Sequence, residues 1–265
     1  QSVENNDIRL IEFDNLNFSA KKHKKGRSCA SLNDLKFTCH ILTDYEDINI
    51  DEKEMKSIFS MGLEHENIIK AFISQSEKLS MYYLLVEVTN QGNLTDYLER
   101  NKLNWIQKIN LASQLISELE CLHNHQIVHS SLNPKNVLIH NHILKLTNFG
   151  SLTIFKPDGL ENIPFIESRE LMLGSRAIFK SDDLESISYL NPQELTLEKG
   201  FIKSYSNKDD NFSNRFKSNI YSLGVLLWQI SSGIQPYMGL TTTKVIEYIS
   251  NGEREKPVDG TLIKY

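Results

Sequence analysis

Residues Ile220 to Ile230 read Ile-Tyr-Ser-Leu-Gly-Val-Leu-Leu-Trp-Gln-Ile, a run that is apolar almost throughout. A helix apolar around its whole circumference belongs inside a protein, because no face of it suits water. The chain must therefore build a helical unit around this segment. Trp105 to His123 supplies a second long helix, with Ile106, Ile109, Ala112, Ile116, Leu119 and Leu122 at spacings of three and four that predict one apolar face. The first 90 residues have a different character. Phe37–Leu42 and Met81–Val88 read as strands, and Glu52 to Leu63 is a helix candidate with Met55, Ile58, Phe59 and Leu63 at helical spacing. Two short strands, Val137-Leu138-Ile139 and Ile143-Leu144-Lys145-Leu146, turn at Asn141-His142. Strands first and helices afterwards predict an α+β architecture of two lobes, about residues 10–88 and 89–265.

The length of 265 residues suffices for one large core or two lobes. A net charge of −5 offers no general attraction to nucleic acid or membrane surfaces, and neither is expected as a partner. No apolar run reaches the roughly 18 residues of a membrane span. Cys29, Cys39 and Cys121 are few and odd in number, so they read as free thiols of a reducing compartment, cytoplasm or nucleus.

The stretch His129-Ser130-Ser131-Leu132-Asn133-Pro134-Lys135-Asn136-Val137-Leu138-Ile139 is followed by Asn148-Phe149-Gly150. This frame resembles the catalytic loop and metal-binding turn of a protein kinase. Other segments follow in the order of that family. Glu64-His65-Glu66-Asn67-Ile68-Ile69 is similar to the turn after the small-lobe helix. Leu85-Val86-Glu87 with Gly92-Asn93-Leu94 resembles the hinge, with Val86 as gatekeeper. Tyr189-Leu190-Asn191-Pro192-Gln193 resembles the end of an activation segment, and Ser218 to Val225 the start of the central large-lobe helix. Trp228 to Gly233 and Asn251 to Pro257 resemble tyrosine-kinase-like kinases that are greatly expanded in some fungi.

The resemblance implies a bilobal kinase fold, and it also shows where the chain departs from a kinase. Ser131 stands where the catalytic base should be an Asp, and Asn148 where an Asp should hold Mg²⁺. Neither is charged near neutral pH. Ala20 to Gly26 aligns with the glycine-rich phosphate loop but holds one glycine, and its lysines read as a solvated turn or a basic docking patch. His40 aligns with the phosphate-contacting lysine and Lys56 with its glutamate partner, with Glu52 and Glu54 nearby. Ser130 replaces the arginine that meets an activation-loop phosphate. Asn219 replaces an aspartate that anchors the catalytic loop, keeping a hydrogen bond without charge assistance. His129 and Phe149 would join a stack between the lobes with Ser60 and Ala71 above them.

A degenerate nucleotide pocket of His40, Val86, Glu87, Asn136 and Asn148 follows, with no metal site and no intact catalytic residue. Losing a general base alone costs about 10²–10⁴ in rate. The function implied is a pseudokinase that binds a protein partner, an active kinase being one candidate. Two alternatives stand: an active protein kinase using other residues, and a sensor that binds ATP without transfer. Mg²⁺ and ATP are cofactors only in those two. His123, His125, His129, His140 and His142 lie close in sequence, but their spacing matches no zinc signature. Residues 151–190 are long for a loop, and Ser181, Ser186 and Ser188 near Asp182, Asp183 and Glu185 read as solvated chain or as sites for another kinase. A kinase lobe would continue with further helices beyond Tyr265, so a truncated large lobe is expected.

Overall fold

The computed structural model describes residues 17–18, 28–32, 35–42, 65–76, 81–125, 127–129, 131–147, 176–179, 184–198, 201–205 and 212–261. The strands of the first part are β1 (Asn17–Phe18), β2 (Ser28–Leu32), β3 (Leu35–Leu42), β4 (Ala71–Ser76) and β5 (Met81–Glu87). They form one antiparallel sheet in the order β1-β2-β3-β5-β4. Phe37, Leu85 and Val86 are buried in it. The helix candidate Glu52–Leu63, with Lys56 and Ser60, lies outside the described residues, as does Ala20–Gly26.

Helix α1 (Leu94–Arg100) begins where Asn93 Oδ1 accepts the Asp96 amide, 2.9 Å away. Helix α2 (Trp105–Asn124) starts with a reciprocal cap: Asn104 Oδ1 accepts from Gln107 N, and Gln107 Oε1 accepts from Asn104 N. Both bonds satisfy backbone donors that a helix start otherwise leaves open. Strands β6 (Val137–His140) and β7 (Ile143–Leu146) form a hairpin. Its turn residues Asn141 and His142 both have positive φ, 50° and 65°, as a tight two-residue turn requires.

Helix α3 (Leu184–Ile187) is followed, after a single 3₁₀ turn at Pro192–Glu194, by β9 (Thr196–Glu198) and β10 (Phe201–Tyr205). Strand β8 (Arg176–Phe179) precedes α3 and joins these two in a sheet of order β8-β10-β9. Helices α4 (Phe212–Ser232) and α5 (Thr242–Ser250) complete the description. No helix among the described residues is long and apolar enough to cross a membrane.

The large-lobe core joins α2 to α4 and to the β6–β7 hairpin, through Leu115, Leu119, Leu122, Leu144, Leu226 and Ile230. Of the face expected for α2, Ala112, Leu119 and Leu122 are buried, and the other three residues need correction. Ile106, Ile109 and Ile116 are exposed, at 72%, 44% and 44%. The buried residues are Leu111, Ala112, Leu115, Glu118, Leu119 and Leu122. The buried face keeps Ala112, Leu119 and Leu122 but is extended through Leu111, Leu115 and Glu118 and not through the three isoleucines. The all-apolar reading of α4 needs the same correction, because Ile220 is 55% exposed. The serines of the long segment also differ from expectation. Ser186 and Ser188 are buried beside Ile187 and Tyr189 and are engaged with neighbours, neither solvated nor open to an enzyme. Ser181 lies outside the described residues.

The corrected face yields a stability test. Leu115→Ala should lower unfolding stability by about 2–5 kcal/mol through cavity formation. Ile106→Ala should change it by no more than about 0.5 kcal/mol, as exposed substitutions do. Urea midpoints of the two variants decide which extension of the face is buried.

Candidate functional site

The site grows from the backbone of one residue held by a side-chain amide. Asn219 on α4 is 3% exposed, and its Oδ1 accepts the His129 backbone N–H at 2.9 Å while its Nδ2 donates to the His129 carbonyl at 2.7 Å. His123 at the end of α2 adds a third contact, its Nε2 lying 3.2 Å from the same Oδ1. Asn219 thus keeps a hydrogen bond to the loop, as expected of an uncharged replacement, and adds a donated one. An amide can donate as well as accept, so it pairs with both the N–H and the C=O of His129, which lie in successive peptide groups; a carboxylate could take only the first.

His129 is itself fully buried. Its Nδ1 lies 3.2 Å from the Ser131 amide, which donates to it. The Nε2 atom, 2.8 Å from the Thr147 carbonyl, must therefore carry the proton. Burial lowers the pKa of this imidazole from 6.5 to about 4, against the smaller opposing effect of its hydrogen bonds. Neutral His129 thus ties the start of the loop to the end of β7.

The rest of the loop is closed by its own groups. Ser131 Oγ accepts from Asn133 Nδ2 at 2.9 Å, and the Ser131 carbonyl accepts from Asn136 Nδ2 at 2.6 Å. Asn133 Oδ1 accepts the Lys135 amide, starting the 3₁₀ turn Pro134–Asn136. The Asn136 carbonyl accepts the Thr147 amide at 3.0 Å. The sequence carries no Asp or Glu between Glu120 and Asp158. Loop and hairpin consequently contain no carboxylate, and the loop is closed by amide and hydroxyl groups.

Above the loop, Val86 and Glu87 end β5. Glu87 is 8% exposed, and its Oε2 accepts the Lys70 amide at 3.1 Å and sits 3.7 Å from Lys145 Nζ on β7. This buried ion pair couples the last strand of the first sheet to the hairpin. Lys145 was not singled out by sequence; the signal was one lysine and one glutamate, each alone in an apolar strand. The neighbouring junction is polar too. Asn67 Nδ2 donates to Gln114 Oε1 and to the Leu144 carbonyl, and the Leu146 amide donates to both Asn67 O and Glu118 Oε1. Glu118 is 0% exposed, and its Oε2 has no partner among the described residues. Burial raises its pKa well above the ordinary value, with the Leu146 hydrogen bond and Lys145 pulling the other way.

The structure therefore brings Ser131, Asn136, Val86 and Glu87 into one region. The β3–β5 register pairs Thr38 with Val86 and His40 with Leu84, so the His40 backbone lies beside the strand that carries them. Asn148 and Phe149 lie outside the described residues, as does Ser130. The five histidines that follow one another in sequence serve separate contacts. His123 and His129 engage Asn219 and Thr147, while His142 Nδ1 meets the Tyr97 hydroxyl at 2.9 Å. Among the described residues no group of three His, Cys, Asp or Glu converges as a metal site.

Residues 42–257 match the protein kinase domain. The chain belongs to the protein kinase family. Its fold is the α+β kinase fold, and its relatives include tyrosine kinases. The human tyrosine-protein kinase FRK is 27% identical over 177 residues, 65% of this chain and 30% of that protein. The tyrosine-protein kinase transforming protein Abl of Abelson murine leukemia virus is 24% identical over 222 residues, 80% of this chain and 25% of that protein. Mouse tyrosine-protein kinase ABL2 is 24% identical over 233 residues, 84% of this chain and 17% of that protein. The chain thus spans less than a third of the length of these relatives.

Two tests follow from the buried groups. Lys145→Met should cost about 3–5 kcal/mol, because it strands the Glu87 charge, whereas the double variant with Glu87→Gln should recover most of that loss. A denaturation double-mutant cycle measures the coupling. The second test is pH. Unfolded His129 takes up a proton near pH 6.5, the folded residue only near 4, so its contribution falls as pH drops through that window, by roughly 3 kcal/mol in full. Glu118 acts oppositely: its raised pKa makes folding weaken as pH rises above 4.5. Subtracting the stability profile of His129→Gln from that of the native protein should isolate a loss below pH 6.5; a flat difference would refute it.

Proposed function

We propose that this kinase domain does not transfer phosphate and acts as a protein-interaction module. The observation that carries the reading is the hydrogen-bonding state of the catalytic loop. At the catalytic-base position, Ser131 offers a neutral hydroxyl that already accepts from Asn133. Phosphoryl transfer relies on charge stabilisation, usually the largest catalytic contribution. The side chains of His129 and of residues 131–136 include no carboxylate. Mg²⁺ is normally bound through carboxylates together with substrate phosphates, so this donor set does not fit it. Asn136 directs its amide nitrogen at the Ser131 carbonyl, and Asn148 adds only a neutral group by sequence.

The partner in this reading is a protein, with an active kinase as one candidate. Its support is exposed apolar surface: Ile234 and Met238 in the turn after α4, at 48% and 69%, and Tyr248 on α5 at 40%. A second reading, an ATP sensor without transfer, draws on Thr147. This residue precedes the metal-position Asn148, and its hydroxyl is buried without a partner among the described residues. Such a group costs free energy unless water or a ligand satisfies it.

Thermal unfolding with millimolar ATP, with and without Mg²⁺ or Mn²⁺, separates the readings, because a ligand that binds only the folded state raises its stability. The interaction module should show no shift, and no γ-phosphate should reach a protein or peptide substrate. A metal-dependent rise accompanied by transfer would reject the proposal. A rise independent of metal would favour the sensor.

A further inference from the structure

Residues 195–211, between the 3₁₀ turn Pro192–Glu194 and α4, form a connection longer than the roughly 12–15 residues beyond which structureless loops are uncommon. The connection is not structureless. Strands β9 and β10 fall within it, paired from Glu198 opposite Phe201 to Thr196 opposite Lys203, with two residues between the strands. Both sides of its starting point are fixed to the helical core. Tyr189 is 1% exposed, donates its hydroxyl to Gln229 Oε1 at 2.6 Å, and accepts from Ser222 Oγ at its carbonyl. Leu190 and Leu195 pack on the cluster of Ile187, Tyr237, Val245, Ile246 and Ile249. The hairpin thus leaves a rigid platform.

From that platform β10 reaches back along the chain and pairs with all four residues of β8: Ile202 with Phe179, Lys203 with Ile178, Ser204 with Ala177, and Tyr205 with Arg176. Strand β8 lies between Asn148-Phe149-Gly150 and Tyr189, within the activation segment of the kinase frame. A segment of this kind can be ordered by a phosphate that finds an arginine. Ser130 occupies the position that would supply that arginine.

We propose that the β9–β10 hairpin is a built-in strap. It orders the activation segment by strand pairing in place of phosphorylation, and it fills one of the two backbone edges of β8 that an extended peptide could join. The strap does not depend on whether the domain transfers phosphate, since its basis is the β8–β10 register and the anchoring of Leu195 and Tyr189.

Amide hydrogen exchange of the full, unphosphorylated chain tests this, with proline scanned through β10. Successive N–H groups of a central strand point to opposite neighbours. Of Ile202→Pro and Lys203→Pro, both paired on both sides, one should therefore release β8 and the other β9. In the native protein, the alternate amides of Arg176–Phe179 that face β10 should exchange at least ten-fold more slowly than in an unstructured peptide. One of the two variants should abolish that protection and speed tryptic cleavage after Arg176, while α4 amides stay protected. Fast exchange at those amides in the native protein would overturn the strap, as would protection that survives both variants. If a proline unfolds α4 as well, the pair Ala177→Cys and Ser204→Cys decides, because a disulfide needs Cα atoms within about 7 Å. A 177–204 disulfide found by peptide mapping supports the strap, and failure to form it under mild oxidation overturns it.

Discussion

The pairing of the Asn219 amide with the backbone N–H and C=O of His129 is the contact on which the site depends. It fixes the start of the catalytic loop to the central helix from both its donor and its acceptor side. Everything downstream is then passed along by hydrogen bonds. His129 holds the Thr147 carbonyl, Asn136 holds the Thr147 amide and the Ser131 carbonyl, and Asn133 holds the Ser131 hydroxyl. Each donor in this series meets an acceptor at short range in a buried setting, where an unmade bond costs more than a made one contributes. A loop so closed keeps a kinase shape without kinase charges.

Buried charge is placed elsewhere. Glu87 and Lys145 join the first sheet to the hairpin, and Glu118 holds the Leu146 amide from below. A buried ion pair adds little net stability compared with apolar residues of the same size, yet losing one partner is costly. Such a pair penalises any arrangement of the two lobes that separates Glu87 from Lys145. The polar junction of Asn67 with Gln114 and Leu144 constrains the same interface. The two lobes are thus joined by specific pairs, while the apolar core lies mainly among α2, α4 and the β6–β7 hairpin.

Much of this was legible from the chain. Short-range signals located β3, β5, β6, β7, the Asn141-His142 turn and the two long helices, because each rests on alternation, apolar period or turn chemistry within a few residues. The motif order pointed to the kinase family, and the match over residues 42–257 establishes it. Less was legible where two solutions fit one pattern. Ile106, Ile109 and Ile116 on one side, and Leu111 and Leu115 on the other, both continue the stripe of Ala112, Leu119 and Leu122 at helical spacing, and only the position of α4 and β7 selects between them. Glu118 lies on the buried side although a carboxyl group ordinarily marks a surface face, because the distant Leu146 amide is there to donate to it. Ser186 and Ser188 gave a similarly false signal beside three acidic residues, and their burial follows from the packing of Ile187 and Tyr189.

The sequence by itself determined residue chemistry: Ser131 and Asn148 carry no charge wherever the fold puts them, and no acidic residue lies between Glu120 and Asp158 to replace them. It also determined the local elements, whose causes act over one or two turns of chain. The tertiary structure alone decided which groups meet. Asn219 and His129 are 90 residues apart, and the pairing of Glu87 with Lys145 spans 58 positions of sequence by their numbering. The strap on β8 likewise joins strands that no local pattern relates. Contacts between such distant residues leave no period in the sequence, because they depend on the packing of elements whose own local signals are silent about their neighbours.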